Sequence, residues 1–227
     1  MQKLEPLTVE NHQHLKITKN YTGKAIFNQS TFPILITEFE QIQREYPIAL
    51  FRSPLDGKLS VHALTSLEEG TNQFIKNEKW QAQYIPLFVH CHPFALSNSN
   101  GAKPCLKVNS LHVAFENGTE PLFHEDGTDT EFLYAMRTSM VDIQNHYQIT
   151  QGFLDFVEKH NLSEPLTIRF EDEEGALQQK EGILTVQLVK FHQLPDDVKL
   201  AAIANGFYQA IVLINASLHS FALLLNK

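Results

Sequence analysis

The sequence has little of what marks several large classes of protein. Its 227 residues include two cysteines, Cys91 and Cys105, which are too few for a disulfide scaffold and are not in CxxC spacing. Its 18 lysines and arginines are scattered, and the formal net charge is -8. Because nucleic-acid binding depends on clustered basic side chains, this charge pattern argues against a nucleic-acid partner.

Recognisable catalytic motifs are also missing from the sequence. It contains no GxGxxG, Walker A, HExxH or GxSxG pattern. No basic stretch leads into an apolar one at the N-terminus, so no secretory signal is expected. The most apolar stretch, Phe207 to Leu225, is interrupted by polar residues such as Gln209, Asn215 and His219. We interpret it as a buried or half-buried helix, since a membrane span needs about 20 mostly apolar residues.

These absences lead to several expectations. We expect a cytoplasmic protein without a transmembrane span and without a cofactor, and we favour a non-enzymatic role. A chain of this length buries roughly 70% of its unfolded surface, so it is expected to fold without a disulfide or a metal ion.

Strand signals occur in hairpin-like pairs. The segments 48–51 and 59–64 flank a turn that contains Pro54 and the Asp56-Gly57 pair. Two further strands are predicted at 166–172 and 183–191, joined by a turn at Gly175, and Leu111 to Phe115 is predicted as another strand. Paired strands followed by helices indicate an α+β fold, with a mainly antiparallel sheet packed by a long helix and C-terminal helices.

The helical signals lie mostly in the second half of the sequence. Thr128 with Glu131 forms a predicted capping box, and the long helix is expected to run to about His160. A later helix is predicted to start at Pro195 and to break at Gly206. We expect one domain, 1–227, with a β-rich part (1–125) and a helix-rich part (126–227) as subdomains. The apolar stripe of the long helix consists of Met136, Met140, Ile143, Tyr147, Thr150, Leu154 and Val157.

The segment His90-Cys91-His92 raises the question of a metal site. Its alternation near Pro93 predicts a strand, which would put both histidines on one face and Cys91 on the other. Known zinc spacings are absent, so we favour a buried Cys91 with partly exposed histidines and no metal. The alternative is a metal-assisted enzyme of the zinc or non-haem iron type, in which His90, His92, His124 and Asp126 hold the ion.

Aromatic residues and prolines are concentrated in the same region. Trp80, Tyr84 and Phe94 lie within fifteen residues of one another, and Pro86 and Pro93 restrict the backbone between and beside them. Such residues line a groove for a ligand or peptide, or they fill the core beside the sheet. We favour the core for Phe94, and the sequence leaves both interpretations open for Trp80 and Tyr84.

Four stretches resemble the SapC family of bacterial proteins, in the same order along the chain. They are EFEQIQREYPIALF (38–51), WQAQYIPLFVHCHPFAL (80–96), EPLFHEDGTDTEFL (120–133) and LPDDVKLAAIANGF (194–207). Where the family more often has Arg, an aromatic residue and an acidic residue, this chain has His90, His92 and His124. The resemblance therefore implies that a metal site at these histidines is not a family property.

The resemblance also implies candidate partners and site residues. Genes of the family often lie beside genes for TonB-dependent receptors, halogenase-like proteins and cupin-like proteins. We therefore expect an accessory protein that binds a small molecule, a peptide or a partner protein in a surface-protein or nutrient-uptake system. A homodimer through the stripe of the long helix is a further possibility. The candidate binding residues are Trp80, Tyr84, Pro86, Pro93, Phe94, Glu120, Phe123, Asp126 and Gly127.

Overall fold

The structure is a computed structural model that describes residues 4–18, 22, 25–97, 105–171 and 175–225. Every strand pair in these ranges is antiparallel, and the predicted α+β class is confirmed. The strands are β1 Glu5–Pro6, β2 Lys16–Ile17, β3 Thr31–Pro33, β4 Ile48–Arg52, β5 Leu59–Leu64, β6 Ile75–Lys76, β7 Lys79–Trp80, β8 Phe94–Ser97, β9 Cys105–Val108, β10 Glu120–Pro121, β11 Ser163–Glu171 and β12 Leu177–Val186. The helices are α1 Val9–His12, α2 Phe39–Ile42, α3 Leu87–His90, α4 Glu131–Lys159, α5 Leu188–His192, α6 Asp196–Ala204, α7 Phe207–Ser217 and α8 Phe221–Leu225.

The chain divides into two compact units. Unit 1 comprises Met1–Asn28, Ile75–Gln81 and Leu87–Asn145. Unit 2 comprises Gln29–Phe74, Ala82–Pro86 and His146–Lys227. The expected division at residue 125 into β-rich and helix-rich parts stays a prediction.

Unit 2 is built on a five-stranded sheet in the order β11-β12-β4-β5-β3. The β4–β5 hairpin is confirmed, and its turn uses Gly57 at a φ of +71°, which glycine adopts without steric cost. Strand β4 lies inside the sheet, and its first three residues, 48–50, are buried. The sheet therefore has a central strand that is covered on both faces.

Helix α7 packs on this sheet, and two of its side chains form hydrogen bonds with the backbone of the strands. The Ser217 hydroxyl accepts a hydrogen bond from the Ile48 N–H at 2.8 Å. The Asn215 side chain donates to the carbonyl of Val186, the last residue of β12, at 2.9 Å. The stretch Phe207–Leu225 is long and apolar enough to span a membrane by length and composition alone. Here it forms α7, a 3-10 turn and α8, whose Phe221 and Leu224 join the core beside the sheet.

Unit 1 contains three small sheets, in the orders β1-β9-β8, β10-β2 and β6-β7. In the β10-β2 sheet, a close backbone approach fixes the pairing of the two strands. A Cβ atom added to Gly118 would lie 1.9 Å from the Lys16 carbonyl oxygen, so only glycine fits at this crossing of β2. Cys91 and Cys105 are not joined in a disulfide, and Cys91 is buried as expected.

The long helix α4 is confirmed, but its cap differs from the prediction. The cap is Thr130, whose hydroxyl oxygen accepts from the Leu133 N–H at 3.4 Å, because Thr128 is bound instead to Asp126. Most of the predicted stripe is buried, but Tyr147 is 48% exposed. The buried stripe residues are Met136, Met140, Thr150, Leu154 and Val157.

Three predicted strands are wrong in part or in whole. Residues 87–90 form a helical turn, because Pro86 presets the backbone for a helix start, and a turn follows it up to Pro93. Val113–Phe115 forms a 3-10 helix that His112 caps. Strand β12 ends at Val186, and the chain then turns into α5.

Candidate functional site

The aromatic residues and prolines of the 80–96 segment divide between the two units. Trp80 lies in the β6–β7 hairpin and belongs to unit 1, as do Pro93 and Phe94. Tyr84 and Pro86 belong to unit 2. The segment therefore contributes side chains to two separate bodies, and each body has to be searched for a site on its own.

The phenylalanines among the candidates fill the core of unit 1. Phe94 is 4% exposed and faces Val108 across the β8–β9 pair. Its ring lies 6.3 Å from that of Phe115 and 6.4 Å from that of Phe132, centroid to centroid. Phe123 is also 4% exposed. These positions explain both residues by packing alone.

The remaining unit 1 candidates belong to strand and turn structure. Glu120 lies in β10, opposite Ile17. The Asp126 carboxylate accepts hydrogen bonds from the Thr128 N–H at 2.9 Å and from its hydroxyl at 2.6 Å. The Thr128 hydroxyl is the main reason why the pKa of Asp126 is lowered. Gly127 has a φ of +84°, so this segment is a tight turn that requires glycine.

The four residues of the metal alternative are not brought together. His90 ends α3 and His92 lies in the turn after it, whereas His124 and Asp126 are exposed. Within the described ranges, no three His, Cys, Asp or Glu side chains are placed to hold a metal ion. Burial lowers the pKa of both His90 and His92. The ring of His92 contacts the ring of His112, which is not one of the four residues of the metal alternative.

Tyr84 lines a cleft. The cleft lies in unit 2, where the end of α2 meets the segment Ala82–Pro86. Its volume is about 410 Å³, which lies within the range of small-ligand sites. The lining consists of Gln41, Arg44, Glu45, Gln83 and Tyr84.

One wall of this cleft is fixed by the Glu45 carboxylate. It accepts hydrogen bonds from the Gln83 N–H at 3.1 and 3.0 Å and from the Tyr84 N–H at 3.2 Å. The Tyr46 hydroxyl donates to the Tyr84 carbonyl at 2.6 Å, and Tyr46 is fully buried. The backbone of this wall is therefore held at three points by side chains of one neighbouring segment.

A buried carboxylate holds the Tyr84 ring. Glu38 is 2% exposed, and one of its oxygens accepts a hydrogen bond from the Tyr84 hydroxyl at 3.1 Å. The other oxygen accepts from the Leu35 N–H at 2.8 Å. Buried carboxyl groups are costly unless hydrogen-bonded, so this arrangement fixes the ring and the start of the helical segment together.

The open side of the cleft carries groups that are free to exchange partners. The Arg44 guanidinium lies 3.9 Å from the Glu40 carboxylate, and both side chains are more than half exposed. A pair of this kind contributes ~0.5 kcal/mol or less. Gln41 and Gln83 are exposed and offer both an amide donor and an amide acceptor. The cleft can therefore bind a carboxylate and peptide groups together.

Tyr84 was among the predicted site residues, whereas Glu38, Glu45 and Tyr46 were not. The carboxylate that binds back to the backbone of the helical segment is Glu38. The two segments are about 40 residues apart, so no local pattern could pair them. The one available signal was the resemblance of both the 38–51 and the 80–96 stretches to a single family.

Comparison with known proteins gives a family and nothing narrower. The model of the SapC family matches residues 7–224. The chain therefore belongs to the SapC family, as the four motifs indicated. No curated protein and no solved structure matches it. The family stretches that meet in unit 2 supply every residue that lines the cleft: Gln41, Arg44, Glu45, Gln83 and Tyr84.

Proposed function

We propose that this SapC-family chain is a non-enzymatic accessory protein that binds a polar segment of a partner protein in the cleft at Tyr84. The observation that carries the proposal is the preorganised wall of this cleft. Glu45, Tyr46 and Glu38 hold the Gln83–Tyr84 backbone and the Tyr84 ring through hydrogen bonds. A wall fixed in advance loses little conformational entropy when a ligand binds.

The lining favours a peptide over an apolar small molecule. Pockets for small organic ligands are lined mainly by apolar side chains, and here four of the five lining residues are polar or charged, with only the Tyr84 ring to offer an apolar face. Exposed amides on both sides match the alternating donors and acceptors of a main chain. The Arg44 guanidinium matches a carboxylate of the same segment.

The resemblance provides the partners to test. They are the products of neighbouring genes, namely a TonB-dependent receptor, a halogenase-like protein or a cupin-like protein. Each purified product is titrated against the full chain in a binding assay. We expect at least one to bind, and we expect Arg44→Ala with Gln83→Ala to weaken that binding tenfold or more.

The matched control changes the same residue types elsewhere in unit 2. Arg169 and Gln193 are exposed and do not line the cleft, so Arg169→Ala with Gln193→Ala is expected to leave binding unchanged. Equal loss in both double variants, or no loss in the cleft variant, would contradict the proposal. If the cleft binds a free small molecule and none of the protein partners, the proposal of a peptide ligand is wrong and that molecule is the ligand.

A further inference from the structure

Two imidazoles are in contact inside unit 1. The rings of His92 and His112 lie 4.5 Å apart, centroid to centroid, at an angle of 60°. Phe27 packs against His92 edge-on at 5.5 Å. His112 is 3% exposed. The contact joins the turn that follows α3 to the 3-10 helix Val113–Phe115.

A backbone hydrogen bond fixes the proton on one of these rings. The Ala114 N–H donates to His112 Nδ1 at 3.0 Å, so this nitrogen carries no proton. The neutral ring must therefore carry its proton on Nε2. His112 Nε2 and His92 Nδ1 are both buried, and neither has a hydrogen-bond partner among the described residues. Buried polar nitrogens usually have a hydrogen-bond partner, so we expect this contact to depend on the protonation state of the two rings.

Among the residues that the structure describes, none offers the pair a compensating charge. Burial lowers the pKa of His112 to about 4, and the charge of His92 contributes in the same direction. Burial also lowers the pKa of His92. The other titratable groups nearby are His90 on α3, whose pKa burial also lowers, Glu116 after the 3-10 helix, and Lys16 on β2, the strand packed against that helix; Glu116 and Lys16 are exposed. In the described ranges, no carboxylate forms an ion pair with either ring.

We propose that the His92–His112 contact is an acid-sensitive latch, which stays closed while both rings are neutral and opens when the pair takes up a proton. A proton that binds His112 must add to Nδ1, since Nε2 already has one. Nδ1 then cannot accept from the Ala114 N–H, and the cap of the 3-10 helix is lost. The same proton places a charge beside the second ring in a site without a counter-ion.

The direction of the pH dependence follows from this arrangement. The ordinary pKa of histidine is 6.5, and the folded value for His112 is about 4. The latch is therefore fully effective above pH 6.5 and weakens as the pH falls from 6.5 towards 4. In that window the ratio of closed to open forms falls about tenfold per pH unit for the proton that His112 takes up.

The direct test is NMR on the unmodified full chain between pH 7.5 and 4. The imidazole nitrogen shifts report the tautomer and the titration of His112, and hydrogen exchange reports the Ala114 amide. We expect a neutral ring with its proton on Nε2 at pH 7, and loss of Ala114 protection on acidification. A folded His112 that titrates at 6.5 or above, or an Ala114 amide that stays protected while His112 is protonated, would overturn the proposal.

Two variants separate the latch from general acid sensitivity. His112→Asn keeps an oxygen that can accept from the Ala114 N–H, since Asn is a favoured cap, but it cannot titrate. In this variant we expect the Ala114 amide to stay protected from exchange down to pH 4. Between pH 6.5 and 4, we expect the variant to take up about one proton fewer than the parent when it unfolds. His124→Asn, at an exposed histidine, is the matched control and is expected to behave like the parent. If His112→Asn does not fold, His92→Phe tests the same loss of proton uptake, and unchanged uptake in it contradicts the latch.

Discussion

The Tyr84 cleft and the His92–His112 contact are opposite solutions to the burial of polar groups. In the cleft, the buried Glu38 carboxylate has a hydrogen-bond donor on each oxygen. In the histidine contact, one nitrogen of each ring is buried without a partner among the described residues. A satisfied network holds one geometry as long as its groups keep their charge, whereas a buried imidazole without a partner changes its contacts when it takes up a proton near neutral pH. We therefore assign recognition to the first region and pH response to the second.

Removal of the buried carboxylate gives the largest expected effect. Glu38→Ala removes the acceptor of the Leu35 N–H and of the Tyr84 hydroxyl, and the loss of these two hydrogen bonds to a buried carboxylate costs about 3 kcal/mol of unfolding free energy. Urea unfolding measures the loss. Glu40→Ala, at an exposed glutamate in the neighbouring helix α2, is the control and should stay within about 0.5 kcal/mol. Equal effects of both changes would remove the basis for a satisfied network under Tyr84.

The half-buried His62 tests whether a ring with only one hydrogen-bonded nitrogen also produces pH dependence. In β5, His62 contacts the Ser60 hydroxyl through Nε2, whereas its Nδ1 has no partner in the described part of the chain. Burial lowers the pKa of His62 to about 4. Its stabilising contribution is complete above pH 6.5 and is lost as the pH falls towards 4. At pH 5 the loss amounts to about 2 kcal/mol relative to pH 7.5.

The variant His62→Phe isolates this contribution, because it keeps an aromatic ring beside Phe51 and cannot titrate. We expect its unfolding free energy to fall less between pH 7.5 and 5 than that of the parent, by about 2 kcal/mol. Parallel pH profiles for parent and variant would show that His62 is not held neutral.

The Tyr46 hydroxyl gives a smaller, local test of the cleft. Tyr46→Phe removes the donor to the Tyr84 carbonyl and keeps the buried ring, so the expected cost is about 1 kcal/mol. Exchange of the Gln83 and Tyr84 amides should also become faster, because one of three points that hold their segment is lost. Tyr208→Phe, at a half-buried tyrosine of α7, is the comparison variant and should leave these two amides unchanged.

The smallest expected change in stability belongs to Arg44. Arg44→Ala removes an exposed pair with Glu40 and should change the unfolding free energy by less than about 0.5 kcal/mol. We expect the same variant to weaken partner binding, since the guanidinium is the cationic group of the cleft. A stability loss well above 1 kcal/mol would mean that Arg44 is structural.

The elements that local chemistry specifies were predictable from the sequence. The β4–β5 hairpin follows from Pro54 and the Asp56-Gly57 pair, and α4 follows from its apolar stripe. The break at Gly206, whose φ is +75°, was also predicted. Each of these depends on residues that are neighbours in the chain, so their patterns are visible without a structure.

The errors arose where contacts between distant residues decide the structure. Glu38 and Glu45 reach a segment about 40 residues away, and His112 meets His92 across 20 residues of chain, so neither pairing leaves a local pattern. The predicted strand at 90–92 failed because Pro86 favours the helical turn of α3, which outweighs a short alternation.

The most direct test of the proposed binding role is an NMR titration of the full chain with the purified partner. If the cleft is the recognition site, the amide signals of Gln83 and Tyr84 shift on binding, because both donate to Glu45 in the cleft wall. The amide signals of the Asp126–Thr128 turn stay unchanged. Shifts concentrated at that turn or at Trp80, with Gln83 and Tyr84 unaffected, would contradict the assignment.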